Sequence, residues 1–152
     1  MATEIEFILN GRATLVRADP EQTLLDVLRN TLGLKATRLG CGTGQCGACT
    51  VIIGDQAVSS CDTPMWSVAG KELTTLEGLG SREAPHRLQA TFIEEQALQC
   101  GYCTSGLLMA AAALLKRNPH PSVPDIRQAL ERNLCRCGVH NRVIRAVQKA
   151  SS

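Results

Sequence analysis

Eight cysteines fall in two groups of four along 152 residues, and their spacing limits what the chain can fold into more than any other feature. Cys41, Cys46, Cys49 and Cys61 form one group; Cys100, Cys103, Cys135 and Cys137 form the other. An even cysteine count in a small chain first suggests a disulfide framework, which belongs to secreted proteins. Met1 to Asn10 alternates charged and apolar residues, without a basic start followed by an apolar run, so no export signal is visible. A reducing, cytoplasmic setting is therefore expected, with export on a partner's signal left open. In that setting clustered thiols bind metal more often than they pair. Aromatic residues make up only 3% of the chain, so large rings carry little of the core and other ties are needed.

Periodicity divides the chain in two. Ile5, Phe7 and Leu9 alternate, Asn10-Gly11 supplies a two-residue hairpin turn, and Ala13 and Leu15 resume the alternation. Thr23 with Asp26 resembles a capping box, Leu24, Val27 and Leu28 share a helical face, and Gly33 can end that helix. Thr50–Ile53 and Ala57–Ser60 around Gly54-Asp55 read as a second hairpin, with Cys61 where it ends. After Gly78-Leu79-Gly80-Ser81 every segment has helical spacing. Leu88, Phe92, Ile93 and Gln96 mark one helix, and Leu107–Leu115, apolar all round, suits the centre of a bundle. Ser122 with Asp125 can cap a third helix bearing Ile126 and Leu130, and Asn141 a fourth bearing Val143, Ile144 and Val147. The expected division is 1–77, a linker at 78–84, and 85–152.

In Gly40-Cys41-Gly42-Thr43-Gly44-Gln45-Cys46-Gly47-Ala48-Cys49 the cysteines have the C-x4-C-x2-C spacing of plant-type 2Fe-2S ferredoxins, with Cys61 placed as fourth ligand. Glycines let such a loop wrap closely and turn its N–H groups toward anionic sulfur. Zinc is the main competitor, but its sites usually present two C-x2-C knuckles rather than three ligands from one glycine-lined loop. The second group, Cys100-x2-Cys103 and Cys135-x-Cys137, is less diagnostic alone: it suits a structural zinc, a single iron or a 2Fe-2S cluster. Its neighbour favours a two-station electron path over a redox-silent staple. A thioredoxin-like reading of Cys100/Cys103 lacks the βαβ context.

Four stretches, GCGTGQCGACTV (40–51), SSCDTP (59–64), FIEEQALQCGYCTSG (92–106) and NLCRCG (133–138), together resemble the small iron-sulfur subunit of the xanthine oxidase family of molybdenum hydroxylases. The resemblance runs from about Ile5 to Val147 and includes Leu73-Thr74-Thr75-Leu76 before the linker. It implies an α+β protein: a β-grasp plant-type ferredoxin domain, then a four-helix-bundle domain, each with a 2Fe-2S cluster. It further implies a hetero-oligomer whose large subunit holds molybdopterin, with FAD or haem in another subunit. Electrons would pass from molybdenum through the pterin to the bundle cluster, then to the ferredoxin-type cluster, and leave to a flavin subunit or a cytochrome. Gln99 matches a glutamine that hydrogen-bonds the pterin, and Cys137 a ligand whose sulfur lies beside the pterin amine. From chemistry alone Gln99 is an exposed helix-end amide. No residue of this chain is implied to transform substrate. Thr43 stands where many relatives have an acid, and Ser105 where proline is usual.

The remaining features read plainly. His86, His120 and His140 are surface or helix-end residues, because the cysteines already make two complete sets. Met109 and Ala110 to Ala113 suit tight helix packing, and Trp66 is expected to pack rather than relay electrons. From Lys116 onward eight Lys/Arg face two acids, which points to an acidic partner or a phosphate-bearing cofactor. Nucleic acid is a weaker reading with four aromatic residues in all. No dinucleotide fingerprint, P-loop or nucleophile motif occurs, and the longest apolar run is too short to span a bilayer.

Overall fold

The computed structural model describes residues 1–152. Strands β1 (Thr3–Leu9) and β2 (Arg12–Ala18) form the expected hairpin, with Asn10 and Gly11 at φ 50° and 78°. Two left-handed residues match the twist of the flanking strands. The phase on β2 differs from the expectation: Val16 and Ala18 are buried, whereas Leu15 is 58% exposed. The turn sets this register by pairing Ile5 with Val16, so Val16 shares the inner face of Ile5.

Thr23 caps α1 (Leu24–Asp26), its hydroxyl accepting the Asp26 N–H at 3.3 Å. Instead of continuing regularly to Gly33, the helix widens over Val27–Thr31 into a π-type turn closed by Leu32 N–H to Val27 O at 2.9 Å. Leu24, Val27 and Leu28 still face one way and bury against Ile5, Phe7, Val16, Val51 and Leu73. The sheet is completed by β3 (Thr50–Ile53), β4 (Gln56–Ser59) and a short β5 (Glu72–Thr74), in the order β2-β1-β5-β3-β4. The central β5 runs parallel to β1 and antiparallel to β3.

The second half is helical: α2 (Arg87–Glu94), α3 (Thr104–Arg117), α4 (Val123–Leu130) and α5 (His140–Ser151). Helix α3 is buried from Ser105 to Leu114, and its alanines let neighbouring elements approach closely. Its core takes in Ile52 of β3, so the helical half is seated on the sheet itself. At its far end Lys116 Nζ donates to Gly54 O at 2.7 Å, and Arg117 Nη1 to Gln56 Oε1 at 3.0 Å. Ser122 and Asp125 form the expected reciprocal cap on α4.

Other expectations need correction. Helix α5 starts at His140, after Val139, so Asn141 lies inside it and caps nothing. Ile93 is 70% exposed, because Leu88 and Phe92, four apart, define the buried stripe and Ile93 lies about 100° round the helix. Gln96 is past the helix end at φ 51°. Trp66 is 59% exposed and does not pack into the core. The basic tail is largely engaged within the chain: Lys116 and Arg117 hold the β3–β4 turn, Arg142 donates to Gln96 O, and Arg145 and Lys149 pair with Glu95 and Glu94. Arg127, Arg132 and Arg136 remain exposed to solvent. No helix is long and apolar enough to cross a membrane.

Helix α2 carries a pH-sensitive cap. His86 Nδ1 accepts the Leu88 N–H at 3.1 Å while Gln89 Oε1 accepts the His86 N–H at 2.8 Å. Only neutral imidazole can accept, and burial lowers the His86 pKa below its ordinary 6.5. Since the folded pKa is the lower one, the unfolded chain takes up the proton first, and stability is lost as pH falls below that ordinary value. The urea midpoint is expected to drop between roughly pH 7.5 and 5.5, and His86→Asn, an acceptor that does not titrate, is expected to flatten that drop. An unchanged slope in the variant would remove His86 as its cause.

Candidate metal centres

The loop 40–49 is held open by backbone donors aimed at sulfur. Cys41 Sγ accepts the N–H groups of Gln45, Cys46 and Thr43 at 3.2, 3.3 and 3.4 Å, and Cys46 Sγ accepts that of Cys41 at 3.3 Å. Gly44 N–H donates to Cys61 Sγ at 3.2 Å, and Cys61 N–H to Cys49 Sγ at 3.4 Å. Gly44 does so at φ 71°, a conformation that glycine adopts without steric cost. Such a shell favours negative charge on sulfur. As a free thiol the exposed Cys41 is held down to about 5, first by the Thr43 N–H, then by the Thr43 hydroxyl and the Cys46 and Gln45 N–H groups. The Thr43 N–H would be present with any residue, so what threonine adds to this loop is a hydroxyl donor where an acid would have supplied charge. Cys61, buried with Cys49 and Leu25, is pushed up to about 11, chiefly by burial and also by the neighbouring Cys49 and Cys41 thiols.

The second group converges from two helix junctions. Cys100 and Cys103 lie in the loop before α3, and Cys135 and Cys137 in the loop between α4 and α5. Cys103 contacts Cys135, and Cys100 contacts Cys137. Burial pushes the Cys103 thiol up to about 12, with Cys135 adding to the rise. At Cys135 burial is outweighed by donors that include the Val139 N–H, and its pKa is lowered. Gln99 is exposed, its Nε2 donating to Cys137 O at 3.4 Å, which places it at the lip of this group. Of the histidines, His86 caps α2, His140 opens α5, and exposed His120 lies 3.0 Å from Ser151 O.

The two loops are fastened to each other at two places. Leu134 N–H donates to Cys46 O at 2.9 Å, and the Asn133 side chain, only 4% exposed, donates to Gly47 O at 3.1 Å and to Thr50 Oγ1 at 3.3 Å. Opposite them, Arg38 Nη1 donates to Gly101 O at 3.0 Å with its guanidinium 5.1 Å from the centre of the Tyr102 ring, and the Tyr102 hydroxyl donates to Leu39 O. Gly106 in α3 packs directly on the Gly47 carbonyl. Spacing and periodicity do not predict any of these contacts. The only signals for them in the sequence are a glycine opening an apolar helix and an asparagine two residues before Cys135.

All eight cysteines are free thiols that meet as neighbours rather than as disulfides. Sulfurs gathered in pairs within a lattice of N–H donors suit a binuclear iron-sulfur core, in which each iron takes two thiolates. Known proteins agree. Residues 7–76 match the 2Fe-2S iron-sulfur cluster binding domain, and residues 75–148 match the [2Fe-2S] binding domain. A nicotinate dehydrogenase subunit of Pseudomonas putida is 52% identical over 151 residues, covering 99% of this chain and 96% of that protein. The alpha subunit of isoquinoline 1-oxidoreductase from Brevundimonas diminuta is 51% identical, with 97% of each chain covered. The chain is a small 2Fe-2S subunit of the xanthine oxidase family.

The fold of this family is α+β, and solved relatives superpose closely. In quinoline 2-oxidoreductase from Pseudomonas putida one chain matches with a TM-score of 0.93 at 36% identity, covering 99% of this chain and 94% of that one. Aldehyde oxidoreductase from Desulfovibrio gigas matches with a TM-score of 0.95 at 39% identity, covering 98% of this chain but 17% of that longer one. There the same unit is one part of a larger polypeptide. As a member of the family, the chain is the electron-transfer subunit of an oxidoreductase complex, and a larger partner subunit carries the molybdopterin.

Proposed function

We propose that the chain relays electrons from the molybdopterin site of a large subunit through two 2Fe-2S clusters to an external acceptor, a flavin subunit or a cytochrome. The observation that carries this reading is the double fastening of the two cysteine loops, above all the Leu134 N–H bond to Cys46 O at 2.9 Å. It joins the backbone of one thiol-bearing residue to the neighbour of another, Cys135, by a single hydrogen bond. Cys41, Cys46, Cys49 and Cys61 are assigned to the first cluster, and Cys100, Cys103, Cys135 and Cys137 to the second. When bound, such clusters take up and release single electrons. The chain's own residues hold them, bias them with N–H donors and keep the two loops in register. We place the domain limits at 1–77 and 85–152 with 78–84 as linker, and the complex in the cytoplasm, where free thiols persist.

The contact with the large subunit is assigned to the face that bears Gln99 and Cys137. A cavity of about 730 Å³ beside Cys135 is lined by Arg127, Arg136 and His140 with one acid, Glu131, and Leu134 at its edge is 64% exposed. Two arginines, Arg127 and Arg136, without an internal partner beside an exposed leucine suit an acidic partner surface or cofactor phosphate better than nucleic acid. The decisive experiment is iron, zinc and acid-labile sulfide on anaerobically purified protein, then electron paramagnetic resonance after dithionite reduction. Two irons and two sulfides per site with two distinct signals are expected. Zinc in place of iron at the second site would leave a ferredoxin unit with a structural bundle. Gln99→Ala is expected to keep both signals and weaken assembly with the large subunit or turnover of the complex; unchanged assembly and turnover would remove Gln99 from the pterin contact.

A further inference from the structure

Three buried side-chain polar atoms in the chain lack a hydrogen-bond partner: Thr37 Oγ1, Thr104 Oγ1 and Ser105 Oγ. The last two are consecutive and open α3 immediately after Cys103. Ser105 is 5% exposed, so water does not reach its hydroxyl, and leaving it unpaired there is destabilising. Such orphans are rare in folded proteins and usually mark a ligand or a chemical role. The usual local remedy for a helical serine is the carbonyl four residues back, here that of Gly101. That oxygen already accepts from Arg38 Nη1 at 3.0 Å and from Thr104 N–H at 3.4 Å, which fills both its lone pairs. Side chains in the first turn of a helix lean back over the segment that precedes it. For Thr104 and Ser105 that segment is 100–103, the loop carrying two thiols of the second group.

We propose that the Ser105 and Thr104 hydroxyls, which reach no cysteine Sγ, donate hydrogen bonds to the inorganic sulfur of the second cluster and raise its reduction potential. This rests on the assignment of a 2Fe-2S cluster to Cys100, Cys103, Cys135 and Cys137. A donor to sulfur favours the reduced state, which carries one more negative charge, so the two hydroxyls make this cluster easier to reduce than its cysteines and backbone donors alone would. The pair then acts on the equilibrium position of the electron without touching an iron.

The test uses the assembled complex with Ser105→Ala, Thr104→Val and the double variant, each near-isosteric. Iron and sulfide are measured first, so that loss of the cluster itself, which would overturn the assignment and this proposal together, is read separately. Potentiometric titration followed by electron paramagnetic resonance is expected to show the second signal appearing at lower potential. At fixed ambient potential the reduced-to-oxidised ratio should fall by up to about tenfold, the size of one charge-assisted hydrogen bond. The first signal should stay in place as an internal reference. Resonance Raman bands of the second cluster should lose part of their sensitivity to deuterium oxide, the backbone donors to Cys100 and Cys135 keeping the rest, and Ser105→Thr should retain the parent's sensitivity. Unshifted titrations and Raman bands in fully loaded variants that resist urea better than the parent would overturn the proposal. Those would be the marks of hydroxyls that were unpaired.

Discussion

Gly106→Ala is expected to destabilise the protein by about 2–3 kcal/mol, although alanine in place of glycine inside a helix normally gains about 1 kcal/mol. The sign reverses because a Cβ at position 106 would meet the carbonyl of Gly47 well inside van der Waals contact and would also crowd Asn133 Nδ2 at 3.1 Å. Gly47 cannot retreat. Its carbonyl accepts from Thr50 Oγ1 at 2.7 Å and Asn133 Nδ2 at 3.1 Å, its φ is 75°, and a Cβ of its own would lie 2.8 Å from Arg132 O. Either the first cysteine loop or the start of α3 must move, and each bears proposed ligands. Urea unfolding of the variant, with iron content measured alongside, checks this. A variant more stable than its parent would mean that helix propensity outweighs the contact and that the two halves are less firmly joined than they stand here.

Cys100→Ser is expected to abolish the second electron paramagnetic resonance signal and to cut turnover of the complex by at least about a hundredfold, with the first signal retained. Cys100 is exposed, so its replacement leaves no cavity, and stability of the metal-free chain should change little. The first loop does not depend on it: the donors to Cys41, Cys46, Cys49 and Cys61 come from residues 41–46 and 61. Simultaneous loss of both signals would show that the two sites assemble as one unit, with the contacts at Asn133 and Arg38 carrying the damage across.

The parts of the fold legible in the sequence are those written in local chemistry. Asn10-Gly11 specifies its turn, Thr23 and Ser122 cap the helices they precede, and the cysteine spacing by itself announces the first loop. What escapes a linear reading depends on partners distant in the chain. Strand β5 is three residues long and owes its place to pairing with β1 and β3 on either side. Leu15 carries the more apolar side chain, yet pairing register buries Val16. Asn141 looks like a cap, but the helix already starts at His140, directly after the loop that bears Cys135 and Cys137. At the site, the cysteines declare themselves by spacing, whereas Asn133, Gly106 and Arg38 act only across the junction, where sequence distance exceeds sixty residues in two cases, Arg38 to Gly101 and Asn133 to Gly47.

The fastening on both flanks of the loops bears on how such a subunit can be controlled. A hinge between two redox modules would let their separation breathe, and the rate of passage would follow that motion. Here backbone and side-chain bonds tie residues 38–39 to 101–102 and residues 46–47 to 133–134, so the gap is set once, at folding. A conductor of fixed length has no throttle. On the proposed relay, throughput would then follow the potentials of the two clusters and whatever delivers and removes electrons at the two ends, not a change in the gap.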